Sequence, residues 1–160
     1  MASPTEAAES APAPREHAVN ERAGRYLLEL YWLSTNREGR VRTGEVSSRL
    51  DVCPSSVTEM LARLATDGLV DYRKQHGVVL TTEGVATASA FACRQCLASQ
   101  VFDRVAGITL DPNTAYHVGY ALPESVLEDL ASRLDHPCQR MCRRTDLAYE
   151  GCLVESLAEG

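Results

Sequence analysis

Residues 40–88 read RVRTGEVSSRLDVCPSSVTEMLARLATDGLVDYRKQHGVVLTTEGVATA, and this stretch decides the fold. Thr43 is placed to cap a short helix whose Val46 and Leu50 face inward. Asp51, Val52 and Cys53 make a tight turn, and Pro54 suits the first position of a second helix, where its missing N–H costs little. Val57, Met60, Leu61 and Leu64 then recur at helical spacing as one buried stripe. The opposite face shows Ser55, Ser56, Thr58, Glu59 and Arg63. Short hydrogen-bonding side chains followed by a guanidinium suit a helix whose first turns enter a DNA major groove and approach base edges closely. Asp67 and Gly68 end that helix, and Leu69–Tyr72 and Val78–Leu80 read as two short strands. Between them Arg73, Lys74, Gln75, His76 and Gly77 form a basic tip, a natural wing to lie along phosphates or in the minor groove. The plainer reading is a winged helix used for protein contacts alone, but a small-polar helix start joined to a basic tip favours DNA.

Working outward, Asn20 is a suitable N-cap for a helix whose Tyr26, Leu27, Leu30, Tyr31 and Leu33 form an apolar stripe, and Asn36–Gly39 reads as a turn. Residues 1–19 are Ala, Pro, Ser and Glu with hardly an aliphatic anchor, too little to offset ordering entropy, so disorder is expected there. On the other side, Thr82–Ile108 reads as one long helix, nearly uncharged through Ala92 and therefore buried against the wing domain or a partner subunit. A further helix carries Val126, Leu127, Leu130 and Leu134 as its apolar stripe. The expected fold is mostly α with a small β-wing. It comprises a winged helix-turn-helix at 20–82, a linker helix and dimerisation helices at 83–136, and a cysteine-containing segment at 137–160.

The net charge of −6 over 160 residues looks unsuited to a DNA binder until it is divided by region. Residues 1–19 balance to −2, residues 20–82 to +1 and residues 83–160 to −5, so the acidity lies outside the reading segment. Of the sixteen basic side chains only Lys74 is a lysine. No stretch approaches the roughly 18 apolar residues of a membrane span, and no charged-then-apolar signal opens the chain. A cytoplasmic protein with no membrane partner is expected.

The segments PSSVTEMLARLATDGLV (54–70) and GVVLTTEG (77–84) resemble the DNA-binding domain of the diphtheria-toxin-repressor family of metal-dependent regulators, which includes the manganese-transport regulators. The resemblance extends over about residues 20–135. It implies a homodimer that reads a palindromic operator in double-stranded DNA and controls genes of metal uptake or homeostasis. It also implies base contacts from Ser55, Ser56, Thr58, Glu59 and Arg63, with Arg42, Thr43, Arg73 and Lys74 holding phosphate. In that family the metal ligands come from the first helix, the linker helix and the dimerisation helices, as carboxylates, histidines and a Met or Cys. Here those positions fall on Arg25 and Leu28, on Gln95, and near Tyr116, Gly119 and Tyr120. Arg cannot ligate a cation, Leu and Gly lack a side-chain donor, and Gln suits manganese or ferrous iron poorly, so the family's site is not carried over. With few residues left after position 137, no SH3-like third domain is expected.

Cysteine offers a replacement. Cys53, Cys93, Cys96, Cys138, Cys142 and Cys152 are six thiols in a chain expected where structural disulfides are rare. Cys93 and Cys96 are expected to point the same way from the long helix, and Cys138 and Cys142 follow His136 and Pro137. Cys93, Cys96, Cys138 and Cys142 have the spacing to give four thiolates to one zinc ion, an iron ion or an iron–sulfur cluster, and soft thiolates disfavour manganese. The plainer reading makes Cys93 and Cys96 small core hydrophobes. His76 is expected at phosphate or in solvent and His117 packed or solvated, whereas His136 is placed to join the thiolates. A redox-enzyme reading of Cys93-Arg94-Gln95-Cys96 fails, because that motif belongs at a helix start after a strand and here it sits deep in a helix. A regulator that switches by thiol oxidation with no bound metal remains the rival, and no enzymatic activity is expected.

Overall fold

In the computed structural model, residues 15–35 and 37–135 are described. Helix α1 (Glu21–Ser34) leads to the helix-turn-helix pair α2 (Thr43–Leu50) and α3 (Pro54–Thr66). Strands β1 (Val70–Arg73) and β2 (Gly77–Leu80) follow, then the long α4 (Thr82–Val101), which runs into a π-helical turn at Phe102–Ala106. Helices α5 (Pro112–Ala121) and α6 (Glu124–Arg133) are the last elements among the described residues. No helix among the described residues is long and apolar enough to cross a membrane.

The local signals act mostly as expected. The Asn20 side chain accepts from the N–H of Ala23 at 2.8 Å and so caps α1. At α2 the cap lies one residue before the expected Thr43: the Arg42 N–H donates to the Glu45 carboxylate at 2.8 Å, which ties the capping residue's own N–H to the first turn. The wing is a two-stranded antiparallel sheet in which Val70 faces Leu80 and Arg73 faces Gly77. Val41 bridges to β2 as well, with two 2.9 Å bonds exchanged with Val78. Gly77 has φ +95°, and a Cβ there would lie 2.3 Å from the Val41 carbonyl oxygen, so the wing can lie on the chain before α2 only with glycine at this corner. The expected single helix to Ile108 is shorter, because the π turn ends at Gly107, which is left-handed.

The apolar stripe expected on α1 is in fact most of its circumference. Ala23, Gly24 and every residue from Tyr26 to Trp32 are buried. One core cluster therefore runs from Leu27 and Leu30 to Val57, Leu61 and Leu64 on one side and to Ala88, Phe91, Ala92 and Tyr116 on the other. The long α4 is buried within its own chain, against α1 and α5. Its cost is low because alanines allow close helix approach, while Phe91 and Leu97 supply the large apolar areas. A smaller cluster joins Cys93 and Leu97 to Leu127 of α6. Disorder was expected as far as residue 19, yet residues 16–18 form a helical turn and Val19 is buried. Arg15 explains the difference: it donates to the carbonyl of Asp67 and pairs with Glu83, and its N–H donates to the Thr87 hydroxyl at 2.9 Å. Residues 1–14 lie outside the described residues.

Within this core α1 carries a carboxylate. Glu29 is buried and accepts from Arg49 Nε of α2 at 2.7 Å. Burial pushes its pKa up, opposed by the charge and hydrogen bond of Arg49 and by the charge of Arg25. Replacing Arg49 by Leu should destabilise the fold by about 3 kcal/mol at neutral pH, because it leaves a buried carboxylate without its partner. The folded carboxyl binds its proton more tightly than the unfolded one, so the penalty is present above the raised folded pKa and disappears as pH falls and Glu29 becomes neutral. Urea melts of both proteins at neutral and acid pH measure this. A loss that is equal at both would show that Glu29 is not the group left unpaired.

Candidate nucleic-acid interface

The turn between α2 and α3 is set by Asp51, which adopts the left-handed conformation at φ 53° and ψ 51°. The Ser47 hydroxyl donates to the Val52 carbonyl at 2.6 Å and the Val52 N–H returns to the Ser47 carbonyl at 3.2 Å, which closes the corner. Pro54 then opens α3, as its fixed φ predicts. Val57, Met60, Leu61 and Leu64 are buried, so the rotation of α3 about its axis is fixed. Ser55, Thr58, Glu59 and Arg63 are consequently exposed, and Ser56 is half-buried. The Thr58 hydroxyl donates to the Pro54 carbonyl at 3.0 Å, so it faces outward as an acceptor only. Arg42 is exposed and Thr43 half-buried at the start of α2. Beside them Glu45 accepts a two-pronged pair from Arg37, one bond at 2.8 Å, and these contacts with the Arg42 N–H bring its pKa down to about 2.

At the wing, Arg73, Lys74, Gln75 and His76 are all exposed, and Gln75 has φ 71°. Arg73 Nε stands 3.8 Å from Asp71, a loose pair. The residue that shapes this element is one that sequence reasoning passed over. Arg40 donates to the carbonyl oxygens of Asp71 at 2.7 Å and Gly77 at 3.1 Å, and to the Asp71 carboxylate at 3.2 Å. It braces both strands of the wing, which removes one of the basic side chains from the phosphate-binding count. Nothing in its spacing distinguished it from Arg42.

Cys53 was also given no role. It is exposed immediately before Pro54, and its Sγ lies 3.3 Å from Ser55 Oγ and 3.1 Å from Ser56 Oγ. Hydrogen bonds from Ser55, then Ser56, stabilise the thiolate and bring the pKa down to about 7. The Cys-Pro-Ser-Ser order at a helix start was the signal available for it.

Of the remaining thiols, Cys93 and Cys96 lie among the described residues. Both are buried and fall in different core clusters: Cys93 packs with Leu97 and Leu127, and Cys96 lies in the larger core and accepts from Gln100 Nε2 at 3.4 Å. Cys138, Cys142, Cys152 and His136 lie outside the described residues. Among the described residues, no three His, Cys, Asp or Glu side chains are close enough together to hold a metal ion. His117 is exposed and pairs with the Glu21 carboxylate.

The positions at which the resemblance would place cation ligands lie on α1, α4 and α5. Leu28 is wholly apolar and buried. Both ends of the Gln95 amide are engaged, Oε1 by Trp32 Nε1 at 3.0 Å and Nε2 by the Pro112 carbonyl at 2.8 Å. The Tyr116 hydroxyl donates to the Glu21 carbonyl, and burial holds its pKa far above the ordinary phenol value, which keeps it from acting as a phenolate ligand. These residues do not fit a manganese or ferrous site.

Residues 19–78 match the family model described as the iron dependent repressor N-terminal DNA binding domain. A curated relative, the HTH-type transcriptional regulator MntR of Lysinibacillus sphaericus (strain C3-41), is 34% identical over 83 residues, which are 52% of this chain and 58% of that protein. Among solved structures, a manganese-dependent transcriptional repressor in complex with manganese superposes with a TM-score of 0.63 at 25% identity, over 72% of this chain and 53% of the other. The manganese regulator SloR superposes with a TM-score of 0.62 at 25% identity, over 72% and 54% respectively. The chain thus spans little more than half the length of these relatives.

The acidity of Cys53 gives a direct test of the geometry at the start of α3. Iodoacetamide should alkylate Cys53 ahead of the buried Cys93 and Cys96, with a rate that reaches half its maximum near pH 7. Peptide mass spectrometry over a pH series reads this. A rate that rises only near the ordinary thiol pKa of about 8.5 would mean that Ser55 and Ser56 do not hold the thiolate.

Proposed function

We propose that the chain is a member of the diphtheria-toxin-repressor and manganese-transport-regulator family, a DNA-binding transcriptional repressor that reads its operator with α3; the match of residues 19–78 to the iron dependent repressor DNA binding domain and the similarity to MntR and SloR support this. The observation that carries this reading is the outer face of α3. Its first two turns present Ser55, Thr58 and Glu59, with Arg63 a turn later and the exposed Arg73 and Lys74 of the wing alongside the same domain. Short side chains let a helix end enter the major groove. A guanidinium farther along reaches a guanine edge or a phosphate, and the wing holds backbone. Arg42 and Thr43 at the start of α2 hold a phosphate in this arrangement.

The functional unit we propose is a homodimer through residues 83–136 on a palindromic operator, since one winged helix buries too little DNA surface to specify a site. Val105, Ile108 and Val126 support it, being large apolar side chains left exposed in this part of the chain. Its genes would be those of metal homeostasis, the setting that the family's name suggests. For the effector, we propose thiolate binding of zinc, iron or an iron–sulfur cluster by Cys93 and Cys96 with Cys138 and Cys142. Leu134 packs on the Cys93–Leu127 cluster, and in the sequence Cys138 follows it by four residues. The acidic, exposed Cys53 favours the second reading, a thiol-redox-responsive regulator with no bound metal.

A selection of genomic fragments followed by fluorescence anisotropy tests the reading. Arg63→Ala and Glu59→Ala should each weaken binding to the selected fragment by about 1–3 kcal/mol with unchanged thermal stability, and Lys74→Ala should lower the salt slope by about one. Because a thiolate at Cys53 repels phosphate, affinity should also fall as pH rises through about 7, and Cys53→Ser should remove that component. Full affinity in both the Arg63 and Glu59 variants would take α3 out of the reading role. For the effector, protein purified without oxygen should carry about one metal equivalent per subunit that Cys96→Ser with Cys142→Ser abolishes, and a visible band between about 380 and 420 nm would mark a cluster rather than zinc. Metal-free protein that still binds DNA in an oxidant-dependent way would select the redox reading.

A further inference from the structure

Helices α1, α4 and α5 meet in a junction tied by side chains bonded directly to one another and to main chain. Trp32 of α1 donates to Gln95 of α4, and Gln95 in turn donates to the carbonyl of Pro112 at the first turn of α5. The Tyr116 and Tyr120 hydroxyls of α5 reach back to the carbonyls of Glu21 and Val19, at and before the start of α1, the second at 3.1 Å. Between these ties the rings of Phe91, Tyr116 and Tyr120 pack with centroids 5.9–6.1 Å apart, Phe91 stacked on Tyr120 and edge-on to Tyr116.

The main chains also touch. Arg94 donates to the carbonyls of Gly119 at 3.2 Å and Leu122 at 2.9 Å, and a Cβ at Gly119 would fall 2.5 Å from the Arg94 carbonyl oxygen. That spacing leaves no room for an ion and its ligand between α4 and α5 at this point. An ion drawn to Gln95 Oε1 would also strip a buried indole N–H of its acceptor.

We infer that this network is a permanent clasp: protein hydrogen bonds through Trp32, Gln95, Tyr116 and Tyr120, rather than a cation, hold α1 and the reading helices against α4 and α5. The reading domain is then fixed to the rest of the chain once the protein has folded, and manganese or ferrous ion supply does not set that attachment. The inference rests on the repressor reading only for its meaning at DNA, because the clasp is a property of the chain alone.

The test uses the full-length protein without DNA, so its failure is separate from a failure of the repressor reading. Mn2+ is the probe, since it discriminates against thiolates. Titrated to about 1 mM, it should keep the full electron paramagnetic resonance signal of the aqueous ion and shift Tm by less than about 1 °C, where an ion with a Kd of about 10 µM would raise Tm by several degrees. Tyr116→Phe and Tyr120→Phe, which keep the ring and remove only the hydroxyl, should speed amide hydrogen exchange about tenfold or more in the first turns of α5 and α1. Loss of one equivalent of Mn2+ signal per subunit, with a Tm rise that Gln95→Leu abolishes, would overturn the clasp. Exchange unchanged in both phenylalanine variants would overturn it as well.

Discussion

Helix α1 has to be buried on opposite sides at once, and the rest of the structure follows from that constraint. Toward α2 and α3 it presents leucines and the Glu29–Arg49 pair; toward α4 and α5 it presents Trp32, Gly24 and the carbonyls of its first turn. A helix enclosed in this way cannot rotate or slide without breaking both contacts. The two polar ties are buried, so each also fixes one register of α1 against its neighbour, because the mismatched alternative leaves an unpaired donor or charge. The position of α3, two elements along the chain, inherits its precision from there.

The outward face is built on different terms. Its charges are few, and several are committed to the protein: Arg40 to the wing strands, Arg37 to Glu45, Arg15 to Asp67 and Glu83. Those left outward sit on rigid supports, on α3 or at the corners of the wing. A modest net charge in this region therefore gives little long-range attraction, and discrimination falls to short-range geometry. The acid thiol at the start of α3 stands in the same small area as the groups that would meet phosphate.

The helix-turn-helix and the wing were legible because their signals are local. Pro54 at a helix start, a four-residue buried stripe and a glycine corner each act within one turn of chain. The cap of α2 was misplaced by one residue because Glu45 could satisfy the N–H of Arg42, a choice made by a carboxylate three residues on. The packing of α4 inside its own chain was half legible: its lack of charge said that it was buried, not against what. Arg40 and Cys53 were missed for opposite reasons. Arg40 acts across 31 and 37 residues of sequence, whereas Cys53 acts locally but resembles an ordinary small residue until its distance to two serine hydroxyls is known. The spacing of Cys93 and Cys96 was read as a shared direction, yet three residues of helix leave enough angle for one to meet α6 and the other the main core.

One continuous core from Val19 to Tyr116 has a consequence for how such a protein can be altered by recombination. Cutting the gene between wing and long helix would strip α1 of Ala88, Phe91 and Ala92, so a reading head exchanged at that seam arrives with half of its first helix bare. The chain offers a better joint after α5, where only the smaller Cys93–Leu97–Leu127 cluster is crossed. Changes to the exposed residues of α3 and the wing, made one at a time, leave that core whole.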